Sequence, residues 1–265
     1  MRSFALVAPL VFALLAARDA IAIDPFEIQV YDGTADSPGS AGLELHVNRV
    51  MDGVKTSVPP ELPMHHQTHF TLEPSLGVTP FLELGGYLQT ALRADGTFDY
   101  AGVKLRTKFI IPQKWSSRLR FGVNLEISLL PERYERSRWG SEIRPIVAYE
   151  DDHVLAALNP IVDVPLGSPD AARGPTFEPA AMVKAKIAGA VAVGVEYYSA
   201  FGPIASPLPW GEEMHYLYEA VDLLAFPNFE LNAGVGEGLT EASNPVVVKV
   251  ILGYSWDLCG ATDAR

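Results

Sequence analysis

The sequence predicts an all-β fold: a transmembrane, up-and-down antiparallel β-barrel of about twelve strands. Three observations carry this. Apolar and polar residues alternate with a period of two in one segment after another, which puts them on opposite faces of a strand. Turn residues punctuate the chain at fairly even intervals, and the connectors alternate between short and long, the rhythm of a barrel with short periplasmic turns and longer extracellular loops. Beyond the N-terminus, no apolar run approaches the roughly 20 residues of a spanning helix. The longest covers 187–195, and Gly189 and Gly194 interrupt it.

Composition narrows the class. The 265 residues are 48% hydrophobic, 20% charged and 10% aromatic, too rich in large apolar groups for a disordered chain. Lys and Arg number 20 against 32 Asp and Glu, a formal net charge of −12. That balance excludes a nucleic-acid partner, because phosphate contact needs a surplus of cations. A single cysteine, Cys259, excludes an intrachain disulfide framework and a Cys-rich zinc site.

In chain order, residues 1–22 read as a cleaved export signal. Arg2 is the basic start, 4–17 is the apolar stretch, and Ala20-Ile21-Ala22 is the small-x-small cleavage pattern. Arg18 and Asp19 interrupt that last region, so cleavage after Ala17 stays open. Residues 23–40 lack a full strand pattern. They are expected to form a short periplasmic element with Phe26, Ile28 and Val30 packed near the barrel mouth. A frayed leader and a segment folding into the pore from below are the alternatives.

The barrel is expected over 41–256. Its strand segments are 41–50, 66–78, 81–93, 98–111, 116–130, 139–150, 153–165, 176–188, 190–203, 213–226, 229–240 and 245–256. Most exceed the roughly 9–11 residues that a tilted spanning strand requires. The clearest is 118–127, with Leu119, Phe121, Val123, Leu125 and Ile127 on one face and Arg118, Arg120, Asn124 and Glu126 on the other. An even strand count returns both chain ends to the periplasmic side. Aromatics near strand ends, among them Tyr87, Trp115, Trp139, Tyr216, Tyr218, Tyr254 and Trp256, suggest girdles at the two membrane interfaces. A β-sandwich would show the alternation but would not need the loop rhythm.

The stretches 28–32, Pro38-Gly39, 42–48, 73–79 and 81–85 resemble a family of bacterial outer-membrane barrels described as transporters of the phenol meta-degradation pathway. The resemblance implies passage of small solutes, aromatic ones included. Such barrels end on an aromatic residue read by the barrel assembly machinery. Here a tail, 257–265, follows Trp256, so either Trp256 serves as an internal signal or the tail alters assembly. The implied partners are the outer-membrane bilayer, that machinery and a small-molecule solute.

Polar strand faces should line the lumen. The pore-lining candidates are Glu73, Glu83, Lys104, Arg106, Lys108, Arg118, Arg120, Glu126, Arg144, Lys184 and Lys186, with Glu219, Glu230 and Lys249 on further strands. Arg106, Lys108, Arg118 and Arg120 flank one periplasmic turn. They form either a basic patch that draws anions or cross-strand ion pairs that fill the lumen. Pairing is favoured, because a barrel of this size has little interior space. Gly234, Gly236 and Gly238 share a face, where they make room in the lumen or let the strand bend, and any gap is expected against them. No metal or other cofactor is expected. His65, His66 and His69 sit at a loop border, and no second strand offers His46 a clear matching group. No catalysis is expected either: His46 and Asn48 share a face without a serine, and His153 and Asn159 are too far apart for a triad. The function read from the sequence is a porin-like passive channel for small, aromatic or anionic solutes. A non-transporting structural or ligand-binding barrel is the alternative, followed by a soluble periplasmic β-protein that carries an apolar ligand.

Overall fold

The structure, a computed structural model, describes residues 23–115, 118–167 and 170–258. The export signal, Cys259 and the rest of the tail lie outside the described residues. Fifteen strands follow in order: β1 Ser40–Asp52, β2 Thr68–Thr79, β3 Leu82–Leu92, β4 Phe98–Ile110, β5 Leu119–Leu129, β6 Trp139–Glu150, β7 Val154–Asn159, β8 Val162–Pro165, β9 Thr176–Phe177, β10 Ala180–Ile187, β11 Val191–Ala200, β12 Gly202–Pro203, β13 Met214–Leu223, β14 Phe229–Gly238 and β15 Val246–Asp257.

Every pairing is antiparallel, β1 joins β15, and β6 joins β7, so the sheet closes into a ring of twelve staves. Three staves are each written as two strands: β7 with β8, β9 with β10, and β11 with β12. Pro160 and Pro179 interrupt the first two, since proline has no N–H for the ladder. Each of the twelve expected segments is therefore one stave. Tight connectors at 80–81, 151–153 and 188–190 gather at one end, the turn end. Connectors such as 53–67, 166–175 and 204–213 gather at the other, the loop end.

Burial is inverted relative to a soluble protein. Leu72, Leu84, Leu88 and Ile127 stand outward and exposed, Leu105 to 73%, while Glu73, Arg106, Glu126 and Lys249 are buried inside. An apolar outer face needs hydrocarbon around it, and a closed ring leaves no unpaired edge in that medium. Phe98, Tyr100, Trp115, Trp139, Tyr254 and Trp256 are exposed near strand ends, as girdles require. Tyr87, Tyr216 and Tyr218 are not in the girdles. They point inward and are buried. On β13 this reverses the expected facing, so Glu219 lies on the outer face, exposed. A row of cross-strand partners descends from Leu92 at the top of β3 through Thr68, Arg49, Val248 and Val235 to Glu219. It continues through Val195, Val183, Ala156 and Tyr149 to Leu119 at the foot of β5. Glu219 is the middle member of that row, so it sits at mid-height on the lipid-facing wall.

Residues 23–39 do not stop at the mouth. They thread the lumen, from Phe26 near the loop end to Asp36 at the turn end. Phe26 packs edge-on against His69 and Tyr134, at ring distances of 4.7 and 5.6 Å. Ile28 and Val30 join Leu155, Met182, Tyr198 and Val247 in an apolar cluster on the far wall. Between these residues, Glu27 and Tyr31 face the charged wall. An extended chain presents alternate residues to opposite sides, so one short segment serves both. Phe26, Ile28 and Val30, expected near the mouth, are the packed interior of the barrel. Gly77 permits the closest approach. A Cβ there would lie 2.1 Å from the Ser37 carbonyl oxygen, and Gly39 N–H donates to the Gly77 carbonyl at 2.8 Å.

The glycine row on β14 leaves no gap. A Cβ at Gly236 would fall 2.3 Å from the Tyr218 ring, so the missing side chain makes room for that inward tyrosine. We predict that Gly236→Ala destabilises the barrel by about 1–3 kcal/mol through overpacking. Thermal unfolding in detergent checks this, and Tyr218→Ala in the same chain should recover part of the loss.

Candidate functional site

The lumen is the candidate site, and pairing organises it. At the turn end, register places Glu83 opposite Lys108 and Gly85 opposite Arg106. Gly85 lets the guanidinium lie flat across it, since a Cβ there would sit 2.7 Å from Arg106 Nε. Arg106 then bridges Glu73 at 2.7 Å and Glu83 at 2.5 Å, and Lys108 reaches Glu83 at 3.0 Å. Arg120 bonds Asp32 at 3.0 Å and shares Glu150 with Lys186.

At mid-height the threaded segment joins the ion pairs of the wall. Lys104 contacts Asp24 at 2.5 Å, Glu126 at 3.2 Å and Glu27 at 3.4 Å. Arg144 contacts Glu142 at 2.6 Å and Glu27 at 3.1 Å. Asn159 acts as a one-residue strand neighbour: its Oδ1 accepts from Tyr31 N–H at 2.7 Å, and its Nδ2 donates to the Tyr31 carbonyl at 3.0 Å. The Tyr31 and Tyr87 hydroxyls share a hydrogen bond at 2.6 Å. On the far wall Lys184 holds Glu196 and Asp222, each at 2.7 Å, while Lys249 holds Glu196 and the Ile28 carbonyl.

Ten of the sequence candidates, Glu73, Glu83, Lys104, Arg106, Lys108, Arg120, Glu126, Arg144, Lys184 and Lys186, thus enter lumen ion pairs. Arg118 does not join them. It is exposed just before β5, beside the Tyr149 hydroxyl. Sequence reasoning missed Asp24, Glu27, Tyr31, Asp32 and Asn159, whose roles follow from the threading. The alternation of Phe26, Ile28 and Val30 with Glu27, Gln29 and Tyr31 was the available signal.

Two larger cavities flank this waist. One of about 330 Å³ opens toward the turn end and includes Tyr31, Glu44, Glu73, Lys184 and Lys249 in its lining. The other, about 110 Å³ at the loop end, is lined by six carboxylates, Asp24, Glu61, Glu135, Glu142, Asp163 and Glu178, against Lys104, Arg136 and Arg173. Burial there, with Asp163 nearby, pushes the Glu135 carboxyl in the 130–138 loop up to about 8. A third, of about 70 Å³, is more apolar and lies among Leu62, Met64, Tyr134 and Met214.

The outer wall offers one constellation that resembles a catalytic group. His215 stacks under Trp210 at 4.3 Å, with Nδ1 bonded to the Tyr197 hydroxyl at 2.5 Å and Nε2 to Glu213 at 2.8 Å. Ser199 lies opposite it in register, yet its hydroxyl donates to the Pro179 carbonyl at 3.0 Å. The serine and the imidazole are therefore not coupled as a nucleophile needs.

No protein-family model matches the chain, and no curated protein matches it in sequence. Solved structures share its fold. An outer-membrane channel from Pseudomonas putida F1 is similar over 87% of this chain and 100% of its own, at 8% identity and a TM-score of 0.56. The NanC porin is similar over 82% and 98%, at 7% identity and 0.52. The KdgM porin, in complex with disordered oligogalacturonate, is similar over 82% and 99%, at 12% identity and 0.50. At these identities the likeness is one of fold.

Two outcomes are expected. Arg144→Leu leaves Glu27 and Glu142 buried without that partner and should cost about 3–5 kcal/mol, read as a lower unfolding temperature and faster proteolysis of residues 23–39. For Glu135 the folded-state pKa lies above the unfolded one. Its contribution is present below the unfolded value of 4.5 and is lost as pH rises toward about 8. Amide protection in the 130–138 loop, taken relative to the intrinsic base-catalysed exchange rate at each pH, should therefore fall between pH 5 and 8, and Glu135→Gln should abolish that fall.

Proposed function

We propose that this chain is a porin-like outer-membrane channel through which small solutes pass passively. The observation that carries it is a closed barrel whose polar lumen holds cavities of about 330 and 110 Å³ on either side of a threaded waist. The waist is held by side-chain hydrogen bonds and ion pairs, so it can loosen without breaking the wall. In this reading residues 1–22 direct export, the short turns face the periplasm, the long loops face outside, and Trp256 at the end of β15 is read by the barrel assembly machinery.

Electrostatics bears on the solute. The lumen cations of the turn end are paired, and the loop-end vestibule sets six carboxyl groups, Glu135 among them protonated at neutral pH, against three cations. With no unpaired cations among the described lumen residues to attract them, anions are disfavoured relative to neutral or cationic solutes. The apolar cavity beside Tyr134 and Met64 would suit an aromatic ring, in keeping with the resemblance to transporters of the phenol pathway. The lining residues we assign to the path are those of the paired network, from Glu73 and Arg106 at the turn end to Lys104 and Glu126 at mid-height.

Single-channel recording in a planar bilayer tests this. The unaltered chain should conduct weakly, with a cation-preferring reversal potential in a salt gradient. Asn159→Ala, which cuts the clamp on Tyr31, should raise conductance severalfold. Silence from both proteins would reject the channel and leave a structural or ligand-binding barrel.

A further inference from the structure

We propose that the lumen contains a divalent-metal site, formed by Glu44 and His46 of β1 and Glu73 of β2, that takes zinc or a similar borderline cation. Register sets Glu44 directly opposite Glu73, and His46 lies two residues along on the same inward face. One oxygen from each carboxylate and one imidazole nitrogen all lie within 4.8 Å of one another. His46 Nε2 stands 3.2 Å from Glu44 Oε2 and 3.1 Å from Glu73 Oε2. Zinc bonds of about 2.0 Å at tetrahedral angles imply ligand separations of about 3.3 Å, so these atoms stand close to the spacing a metal demands.

A proton serves the three atoms less well than a metal. An imidazole Nε2 carries at most one hydrogen, and here two carboxylate oxygens compete for it. Glu44 takes the hydrogen bond. Glu73 Oε2 is left buried without one, in a side chain only 2% exposed. Its other oxygen forms an ion pair with Arg106, 2.7 Å from Nε, while Oε2 lies on the His46 side. That is how outer residues orient a metal ligand. Glu44 and Glu73 also line the 330 Å³ cavity. Water or a solute oxygen can therefore complete the four-coordinate shell from the lumen side. Imidazole with two carboxylates suits zinc better than the all-oxygen preference of calcium or magnesium. The site does not depend on the channel reading, because a closed barrel would hold the ion equally well.

The test uses the full-length protein in detergent, stripped with a chelator and then given Zn²⁺ or Co²⁺. The unaltered protein should retain one zinc per chain after gel filtration, and Co²⁺ should show the visible absorption of a four-coordinate nitrogen–oxygen site. His46→Ala and Glu73→Gln should each weaken binding by about 100-fold or more. If Glu73→Gln fails to fold, Glu44→Gln, on a partly exposed side chain, carries the same expectation. Replacing both His65 and His66, whose stacked rings lie 3.7 Å apart in the 53–67 loop, should leave binding unchanged. A wild-type chain that retains no zinc, or zinc that survives His46→Ala with Glu44→Gln, overturns the proposal.

Discussion

A charge enclosed by a β-barrel must find its counter-charge within the same ring. The outer face of this barrel is mostly Leu, Val, Ile and Phe, and it offers the lumen no counter-charge. Every ionised group on the inner face is therefore confined to a space that a single extended segment nearly fills. An isolated buried ion costs several kcal/mol, and only close, hydrogen-bonded partners repay that. The lumen obeys this constraint at each level. Arg106 is divided between Glu73 and Glu83, Lys184 between Glu196 and Asp222, and Lys104 among three carboxylates. Two of the Lys104 partners come from the threaded segment. The wall is completed by residues 23–39 rather than merely occupied by them.

The same constraint divides the interior into two halves. From β2 to β6 the inward face is charged. Around β7, β10, β11 and β13 it carries Leu155, Ala157, Met182, Tyr198 and Tyr216. The threaded segment matches both, with Ile28 and Val30 on one side and Glu27 and Tyr31 on the other. It is amphipathic across its width, as a strand is. Its backbone polar groups are met by wall side chains instead of by a neighbouring strand. Thr71 and Asn48 donate to the carbonyls of Phe26 and Pro25, and Asn159 serves both groups of Tyr31.

The wall was legible in the sequence because lipid and lumen impose opposite demands on successive residues. A stretch such as Leu119-Arg120-Phe121 admits one facing only. Legibility failed where a side chain suits both environments. Tyrosine has an apolar ring and a polar tip, so Tyr216 and Tyr218 could stand in a girdle or point inward. Choosing the girdle turned β13 over and placed Glu219 in the lumen. The glycine row on β14 makes room in the lumen, but the gap expected against it is filled by an inward Tyr218 that the girdle reading had placed elsewhere. The threaded segment was obscured by Pro25 and the Asp32-Gly33 bend, which shorten its alternation below that of a strand. The His46 cluster was hidden in a different way. Its third member, Glu73, becomes a neighbour only through the β1–β2 register, and register is not contained in either strand alone.

Glu219 remains outside this economy of pairs. Val195 and Val235 flank it in register, and neither offers a donor or a counter-charge to a carboxylate. A polar group at the depth of the acyl-chain ends draws water inward or thins the leaflet beside it. The ring of lipid around this protein is therefore not equivalent on all sides. The stave at β13 gives the barrel a face that acyl chains meet differently from the rest of the wall.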